Sequence, residues 1–184
     1  YGLETKIARC FALVGPRLPL ASHFAVGNFI EDALQGGPVR VCGDGTPFRS
    51  YLYSADLTTW LWTILMKGAA CRPYNVGSEE SSSISDLADT VSNVLNCAAA
   101  PQIAKSADPD SRAQRYVPAT RRAAEELGLK SSVPLEDGIR RTADWYRGPG
   151  ISEKPIEIRL PAEACGDAVN SSEGHLHAGE NGTQ

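Results

Sequence analysis

The chain has 184 residues, enough for one domain with its own core or for one domain and a tail. Hydrophobic residues make up 42% and charged residues 22%, which is typical of a soluble globular protein. The net charge of -4 provides no general attraction to nucleic acid or to an anionic membrane, and no stretch is long and apolar enough for a transmembrane helix. We therefore expect neither partner class, and any bound anion must be held by local positive charge.

The cysteines are five in number and include no C-x-x-C pair. Cys10 and Cys42 lie inside apolar runs, and the N-terminal residues lack the features of a signal peptide. This pattern favours buried free thiols in a reducing compartment over a disulfide framework or a zinc site. We expect a cytoplasmic protein.

The first third of the chain predicts a strand, a helix and a strand. Residues 5–14 have the β-branched and aromatic character of a buried strand, which Gly15 and Pro16 end. A natural domain rarely begins on a core strand, so we expect something before it. Residues 22–35 predict a helix, and residues 39–43 a short strand. The helical positions expected on one buried face are Phe24, Ala25, Asn28, Phe29, Ala33 and Leu34.

The middle of the chain begins with a turn rich in glycine at 43–47, which leads into a strand at 49–54. The strongly apolar run at 55–68 predicts a helix, with Ser54 as its N-cap and Asp56 in its first turn. Trp60 and Trp62 cannot both face the core at their spacing, so one of them is expected to lie against another layer or at an interface.

The remaining ordered elements are expected between residues 73 and 147. A short strand at 73–78 precedes a helix at 83–95, which opens with a variant capping box from Ser83 to Asp86. Residues 98–115 are expected to be irregular, followed by two helices at 119–129 and 134–148. The first of these is closed by Gly128. Residues 148–184 have the composition of a disordered tail, so the fold is a mixed α/β layer of short strands with four or five helices.

No residue is a self-evident catalytic group. The sequence has no dinucleotide or P-loop glycine cluster and no Tyr-x-x-x-Lys pair. The histidines at 175 and 177 lie in the predicted tail, and His23 is more typical of a helix start than of a base. The acidic residues of the helices fit solvated faces; they are Glu31, Asp32, Asp86 and Asp89. We expect no catalytic residue and no metal site.

Arginines are the better candidates for binding. Five of them lie in or beside strands and loops, where ligands meet α/β folds; they are Arg9, Arg17, Arg49, Arg112 and Arg115. The planar guanidinium group suits a diphosphate because it donates paired, charge-assisted hydrogen bonds. For each arginine the alternative is a helix cap or an ion pair with a surface carboxylate.

The order of several motifs carries a resemblance to a known family. These motifs are "RCFALVGP", "HFAVGNFIEDALQGGPVRVCGDGTPFRSYLYSADL", "YNVGS", "SISDLA" and "RYVPATRRAAEELGL…PLEDGIRRTADWY". Together they resemble the C-terminal half of NAD-dependent nucleotide-sugar epimerases and dehydratases. These are extended short-chain dehydrogenases, such as dTDP-glucose 4,6-dehydratases, UDP-glucuronate decarboxylases and UDP-galactose 4-epimerases.

The resemblance implies the C-terminal portion of an extended Rossmann-type fold, with residues 1–147 as a part that binds a nucleotide-diphosphate sugar. It places the diphosphate on Arg49 and Arg115. It also places the substrate beside two further sets of residues, which are Asn28, Phe29 and Ile30 on a helix and Val39 and Val41 on a strand. Asp56 falls at a helix start with a structural role. Family members use NAD and are commonly homodimers.

The sequence also departs from the family pattern. Ala12 and Val14 replace an Asn and a Tyr, and Ala119 replaces an acidic residue that often follows the second arginine by four. The cofactor glycine motif and the catalytic Tyr-x-x-x-Lys, which the family carries N-terminal to this segment, are absent. We therefore expect no tight NAD binding, no turnover by this chain alone, and low stability or self-association.

Three functional interpretations remain open. The chain is the substrate-binding part of a longer epimerase or dehydratase, a stand-alone sugar-nucleotide-binding remnant without catalysis, or a non-functional truncated product. The nucleotide, the sugar and the reaction type do not follow from the sequence.

Overall fold

The computed structural model describes residues 2–22, 24–108, 110 and 112–148. Within them the chain forms helices and very short strands in alternation. The helices are α1 (Ala25–Leu34), α2 (Ser54–Lys67), α3 (Ile84–Leu95), α4 (Arg121–Leu127) and α5 (Leu135–Arg147). The strands are β1 (Ile7–Cys10), β2 (Leu13–Val14), β3 (Arg40–Val41), β4 (Phe48–Ser50), β5 (Leu52–Tyr53), β6 (Pro73–Val76), β7 (Ser81–Ser83), β8 (Gln102–Ile103) and β9 (Arg115–Tyr116). The predicted mixed α/β character is confirmed.

The strands pair in four small groups, mostly in parallel. β1 pairs with β6, β2 with β5 and β3 with β8, each in parallel. β4 is the middle strand of a three-stranded sheet, antiparallel to β7 and parallel to β9. Since parallel pairs need long crossovers, every one of these groups joins segments that are far apart in sequence.

Two hydrophobic clusters form the core. The larger one gathers α1, α3 and α5 around the buried side chains of β2 and β3, including Ile30, Val91 and Ile139, none of which exposes any surface. The smaller one lies between α2, β6 and α4, with Trp60 and Tyr74 at its centre. The short strands are therefore held by helices on their faces rather than by long hydrogen-bonded ladders.

The ends of the helices follow local sequence signals. Ser83 and Asp86 form a reciprocal capping box at α3, with the Ser83 hydroxyl oxygen accepting from the Asp86 backbone N–H, as the spacing predicts. Gly128 closes α4 in a left-handed conformation, φ 69°. Ser54 is the first residue of α2 and makes no capping bond, so its predicted N-cap role is wrong. Its position is set by Gly15, where any side chain would overlap the Ser54 side chain.

The buried face of α1 differs from the prediction. Val26, Phe29 and Ile30 are buried, whereas Phe24 lies before the helix and is 43% exposed. Asp32, expected on a solvated face, is buried because its carboxylate accepts hydrogen bonds from the backbone and side chain of Arg40 on β3. The hydrogen bonds from Arg40 offset the free-energy cost of burying the Asp32 carboxylate.

Two predictions of burial near the N-terminus are wrong. Ile7, Arg9 and Cys10 of β1 are exposed, because in the described part of the chain β1 pairs only with β6. Cys42 and Cys71 are exposed as well, and Cys97 is half-buried. Cys165 and the tail predicted from residue 148 onward lie outside the described residues, apart from Gly148 itself.

Asp56 has the structural role that the resemblance implies. Its buried carboxylate accepts hydrogen bonds from the backbone N–H groups of Ser132 and Val133, at 2.9 and 3.1 Å. It thereby joins the start of α2 to the loop that precedes α5. This tie links the two hydrophobic clusters across a loop that has few apolar residues of its own.

Candidate functional site

The turn at 43–47 is fixed against the start of α3. The Asp44 carboxylate accepts hydrogen bonds from the backbone N–H and hydroxyl of Thr46, which hold the pKa of Asp44 below its usual value. The carbonyl of Gly45, whose φ is 76°, accepts from the backbone N–H of Ser85 at 3.0 Å. The turn is therefore a rigid support that sets the direction of β4, and it uses its own polar groups internally.

Arg49 lies at the centre of β4, half-buried between the strands on either side. Its Nη1 donates to the carbonyl oxygen of Phe48 at 2.8 Å, and its guanidinium carbon is 5.9 Å from the ring centroid of Tyr116 on β9. Within the described ranges no carboxylate pairs with it. The side chain is thus held in place by a carbonyl and a ring while its charge is left uncompensated by an acid.

Arg115, the second arginine predicted to bind the diphosphate, lies on β9 beside β4. Its Nη2 donates to the hydroxyl of Ser81 at 2.7 Å, and its guanidinium carbon is 5.2 Å from the ring centroid of Phe48. These contacts fasten β9 and β7 to the middle strand. The arginine is exposed, so one of its faces remains open to solvent.

The strand register separates the two guanidinium groups. Arg49 is opposite Ser82 and Tyr116, whereas Phe48 is opposite Arg115. Residues opposite each other share a face of the sheet, and the next residue along the strand points to the other face. The structure therefore brings the backbones of the two predicted arginines together but places their side chains on opposite faces.

The predicted helix and strand residues are mostly core residues. Phe29, Ile30, Val39 and Val41 expose 3% of their surface or less and belong to the larger hydrophobic cluster. The carbonyls of Val39 and Val41 accept from the backbone N–H groups of Gln102 in β8 and of Ala104 just after it. Asn28 is the half-exposed member of the predicted set and the one whose side chain can make hydrogen bonds to a ligand.

The other candidate arginines lie in different surroundings. Arg17 has φ 64° and its guanidinium carbon is 5.9 Å from the Trp145 ring centroid of α5. Arg112 is exposed in the irregular segment before β9. Arg9 lies on β1, where it borders a cleft described below. His23, His175 and His177 lie outside the described residues.

Two groups beside Arg49 have unusual environments. Burial raises the pKa of Tyr51 to about 12, although the charge of Arg49 acts in the opposite direction. The hydroxyl of Ser50 is buried and has no hydrogen-bond partner. Tyr51 therefore stays protonated at neutral pH, and β4 carries a polar atom that no described protein group satisfies.

Tyr116 and Ser81 are the neighbours of the arginines that the sequence did not reveal. They lie 67 residues and 34 residues from the arginines they contact, and the pairing of β7, β4 and β9 brings them together. The position of Tyr116 next to Arg115 in the sequence gives no sign of its contact with Arg49, because neighbouring strand residues point to opposite faces. The register that directs it at Arg49 is a tertiary feature.

In the part of the chain that the structure describes, no group of three or more His, Cys, Asp or Glu side chains is placed to hold a metal ion. No helix in the same part is both long and apolar enough to cross a bilayer. The arginines are therefore the groups of the candidate site that we consider for ligand binding.

Comparisons with known proteins agree on one family. The sequence model of the NAD dependent epimerase/dehydratase family matches residues 1–77, a range that includes α1, β4 and Arg49. UDP-glucuronic acid decarboxylase 1 of Xenopus tropicalis is 33% identical over 146 residues, which are 79% of this chain and 34% of that protein. The chain thus spans about a third of the length of this curated relative.

Solved structures show the same fold. UDP-glucose 4-epimerase of Thermotoga maritima, solved with UDP-glucose, is 25% identical with a TM-score of 0.71, over 80% of this chain and 47% of that one. UDP-glucuronic acid 4-epimerase of Bacillus cereus, solved with UDP-glucuronic acid and NAD, is 25% identical with a TM-score of 0.65. That match covers 77% of this chain and 45% of the other, so in both cases the shared region is less than half of the enzyme.

Proposed function

Because this chain belongs to the NAD-dependent epimerase/dehydratase family of extended short-chain dehydrogenases, we propose that it binds a nucleotide-diphosphate sugar through Arg49. The observation that carries the proposal is the environment of Arg49. It is a half-buried guanidinium, oriented by the Phe48 carbonyl and the Tyr116 ring, with no carboxylate partner among the described residues. Such a group is prepared to donate charge-assisted hydrogen bonds to a diphosphate with little loss of side-chain entropy.

Arg115 belongs to the same proposal in a different role. Because its guanidinium is on the opposite face, contacts Ser81 and lies over Phe48, it acts by holding β7 and β9 against β4. Its loss loosens the strand that carries Arg49. We expect a smaller effect on affinity from Arg115→Gln than from Arg49→Gln.

The remaining predicted residues form the wall of the proposed site. Asn28 supplies a polar side chain from α1. Phe29, Ile30, Val39 and Val41 support that wall from the core, with any contact to the nucleotide base made through the main chain, since their side chains are buried.

NAD acts as the redox cofactor in the family, but the residues present do not fit its binding. The sequence has neither the glycine-rich dinucleotide motif nor a Tyr-x-x-x-Lys pair, and the Asp44 turn uses its polar groups internally. We therefore assign no chemical step to this chain. Its proposed contribution is to bind and orient the substrate, and we expect no turnover from the chain alone.

Isothermal titration calorimetry with UDP-glucuronic acid and dTDP-glucose tests the proposal. Arg49→Gln is expected to weaken binding about ten- to a hundredfold, the effect of losing a charged hydrogen bond of about 1.5–3 kcal/mol. Arg140→Gln is the matched control, because Arg140 pairs with Asp137 on the outer side of α5. A folded wild-type chain that binds neither nucleotide sugar contradicts the proposal and leaves the non-functional interpretation.

A further inference from the structure

A cleft of about 450 Å³ opens between β1, β6 and α4. Its charged lining consists of four arginines and two glutamates, which are Arg9, Arg72, Arg121, Arg122, Glu125 and Glu126. The chain as a whole has a net charge of -4. The cleft is thus a local excess of positive charge in an acidic protein, at a place that the proposed substrate site does not use.

The two glutamates are already engaged by part of this positive charge. Glu126 accepts hydrogen bonds from Arg72 and from the Tyr74 hydroxyl, and these contacts hold the pKa of its carboxyl below the usual range. Glu125 pairs with Arg121 one helical turn away on α4, at 3.7 Å. The charge of Arg122 also lowers the pKa of Glu126. Arg9 is thus the arginine of the cleft that neither glutamate engages within the described ranges, and the lining keeps two more positive than negative charges.

These two arginines are positioned by the strands below them. Arg122 is oriented by its Nη1, which donates to the carbonyl oxygen of Pro73 at 2.7 Å. Arg9 is exposed on β1, directly opposite Asn75 in the register, so both side chains share the face that borders the cleft. Among the described residues, the side chain of Arg9 has no hydrogen bond or ion pair.

Part of the cleft lining carries no acidic side chain. Ala119 lines the cleft with a methyl group, and its carbonyl accepts from the side-chain amide of Asn75 at 3.0 Å. That bond orients the amide, whose oxygen can only accept hydrogen bonds. In the part of the chain that the structure describes, Arg9 therefore lines the cleft without an ion-pair partner.

We propose that this cleft is an oxyanion site that binds a phosphate group, free or as a phosphate ester, between Arg9 and Arg122. Two guanidinium groups can donate several charge-assisted hydrogen bonds to the oxygens of a dianion. The residues that line this cleft include none of those proposed to bind the nucleotide sugar.

Titration of the chain with inorganic phosphate, followed by NMR of the Asn75 side-chain amide and the arginine Nε–H groups, tests this inference. A second titration with glucose 1-phosphate separates a preference for free phosphate from one for an ester. We expect saturable shifts at constant ionic strength, with at least a tenfold weaker response in Arg9→Gln. Arg49→Gln is expected to leave the phosphate response unchanged, which separates this site from the proposed function.

Ala119→Asp provides a variant that keeps both arginines. Its carboxylate would occupy the cleft and pair with Arg9, so phosphate binding is expected to be lost while the fold is retained. An absence of saturable shifts in the wild-type chain would overturn the inference. So would a phosphate response that persists in both Arg9→Gln and Ala119→Asp, or one that disappears in Arg49→Gln.

Discussion

At the scale of the residue, the neighbourhood of Arg49 combines a cation without a carboxylate partner and a hydroxyl without a hydrogen bond, both judged among the described residues. Arg49 is held by the Phe48 carbonyl and the Tyr116 ring, whereas the adjacent Ser50 hydroxyl is buried and finds no partner in the described ranges. A buried polar atom without a hydrogen bond costs about 1–3 kcal/mol. The unsatisfied Ser50 hydroxyl therefore reduces the contribution of β4, the strand that carries Arg49, to the free energy of unfolding.

Ser50→Ala removes this unsatisfied atom and keeps the Cβ. We expect the free energy of unfolding to stay unchanged or to rise by about 1 kcal/mol, measured by urea denaturation. Ser132→Ala is the comparison, because the Ser132 hydroxyl donates to the buried Asp56 carboxylate, and its loss should cost about 1 kcal/mol or more. A clear loss of stability in Ser50→Ala would show that the hydroxyl has a partner.

The roles of single residues were predictable where the signal was local. Ser83 and Gly128 terminate helices through bonds to residues within four positions, so their spacing was sufficient. The same reasoning failed for Asp32, because the partner that buries it lies on the following strand. Tyr116 was missed for the same reason, since its contact with Arg49 depends on strand pairing.

At the scale of the element, the residue that precedes α4 is tied by one carboxylate to the loop between β6 and β7. Glu79 Oε1 accepts from the backbone N–H of Thr120 at 2.6 Å and from its hydroxyl at 2.9 Å. These two bonds lower the pKa of Glu79 below its ordinary value of 4.5. Since Thr120 immediately precedes α4, the protonation of Glu79 affects how this helix begins.

The sign of the resulting pH dependence follows from the lowered pKa. The stabilisation is fully present above about pH 4.5 and is lost as the pH falls through the lower value of the folded state. Glu79→Gln should therefore reduce stability at pH 7 and flatten the decline between pH 4.5 and pH 3, as measured by urea unfolding across this range. Glu80→Gln, the neighbouring control, should retain the wild-type slope, and an equal slope in Glu79→Gln and the wild type would contradict this assignment.

Hydrophobic periodicity predicted the helices, but it could not predict the shortest strands. Five of the nine described strands contain only two residues, too few for an alternating pattern to be distinguished from a loop. The segment predicted to be irregular, residues 98–115, accordingly contains β8 and the first residue of β9. They exist as strands because β3 and β4 offer them backbone partners.

At the scale of the whole molecule, several exposed apolar side chains lie together on α2. On α2, Trp62, Leu65 and Met66 are 61%, 55% and 72% exposed, while Trp60 on the other side is buried. No charged residue lies between Asp56 and Lys67 on this helix. The two tryptophans thus face different environments, as their spacing predicted, and the exposed face has no charge to oppose the approach of a second copy.

We expect this face to drive self-association of the isolated chain. Trp62→Glu should shift the mass measured by light scattering during gel filtration towards the monomer, because two introduced charges would meet across a shared apolar contact. Asn93→Glu adds the same charge on the exposed side of α3 and should leave the mass unchanged. A wild-type chain that is monomeric at high concentration and melts cooperatively at high temperature would contradict the expectation.

The family could be predicted from the order of weak motifs, whereas the site geometry could not. The motifs run along the chain, and the comparisons confirm the family that they indicate. The separation of Arg49 and Arg115 onto opposite faces depends on a one-residue difference in strand register. A register of this kind is set by three-dimensional packing, which the motifs do not encode.

The central claim is that Arg49 recognises the diphosphate of a nucleotide sugar. A calorimetric comparison of UDP with UMP, made on the wild-type chain and on Arg49→Gln, tests it most directly because the two ligands differ by one phosphate. We predict that the wild-type chain prefers UDP by about tenfold or more and that Arg49→Gln abolishes this preference while UMP binding changes little. A preference for UDP that is equally large in Arg49→Gln would contradict the claim.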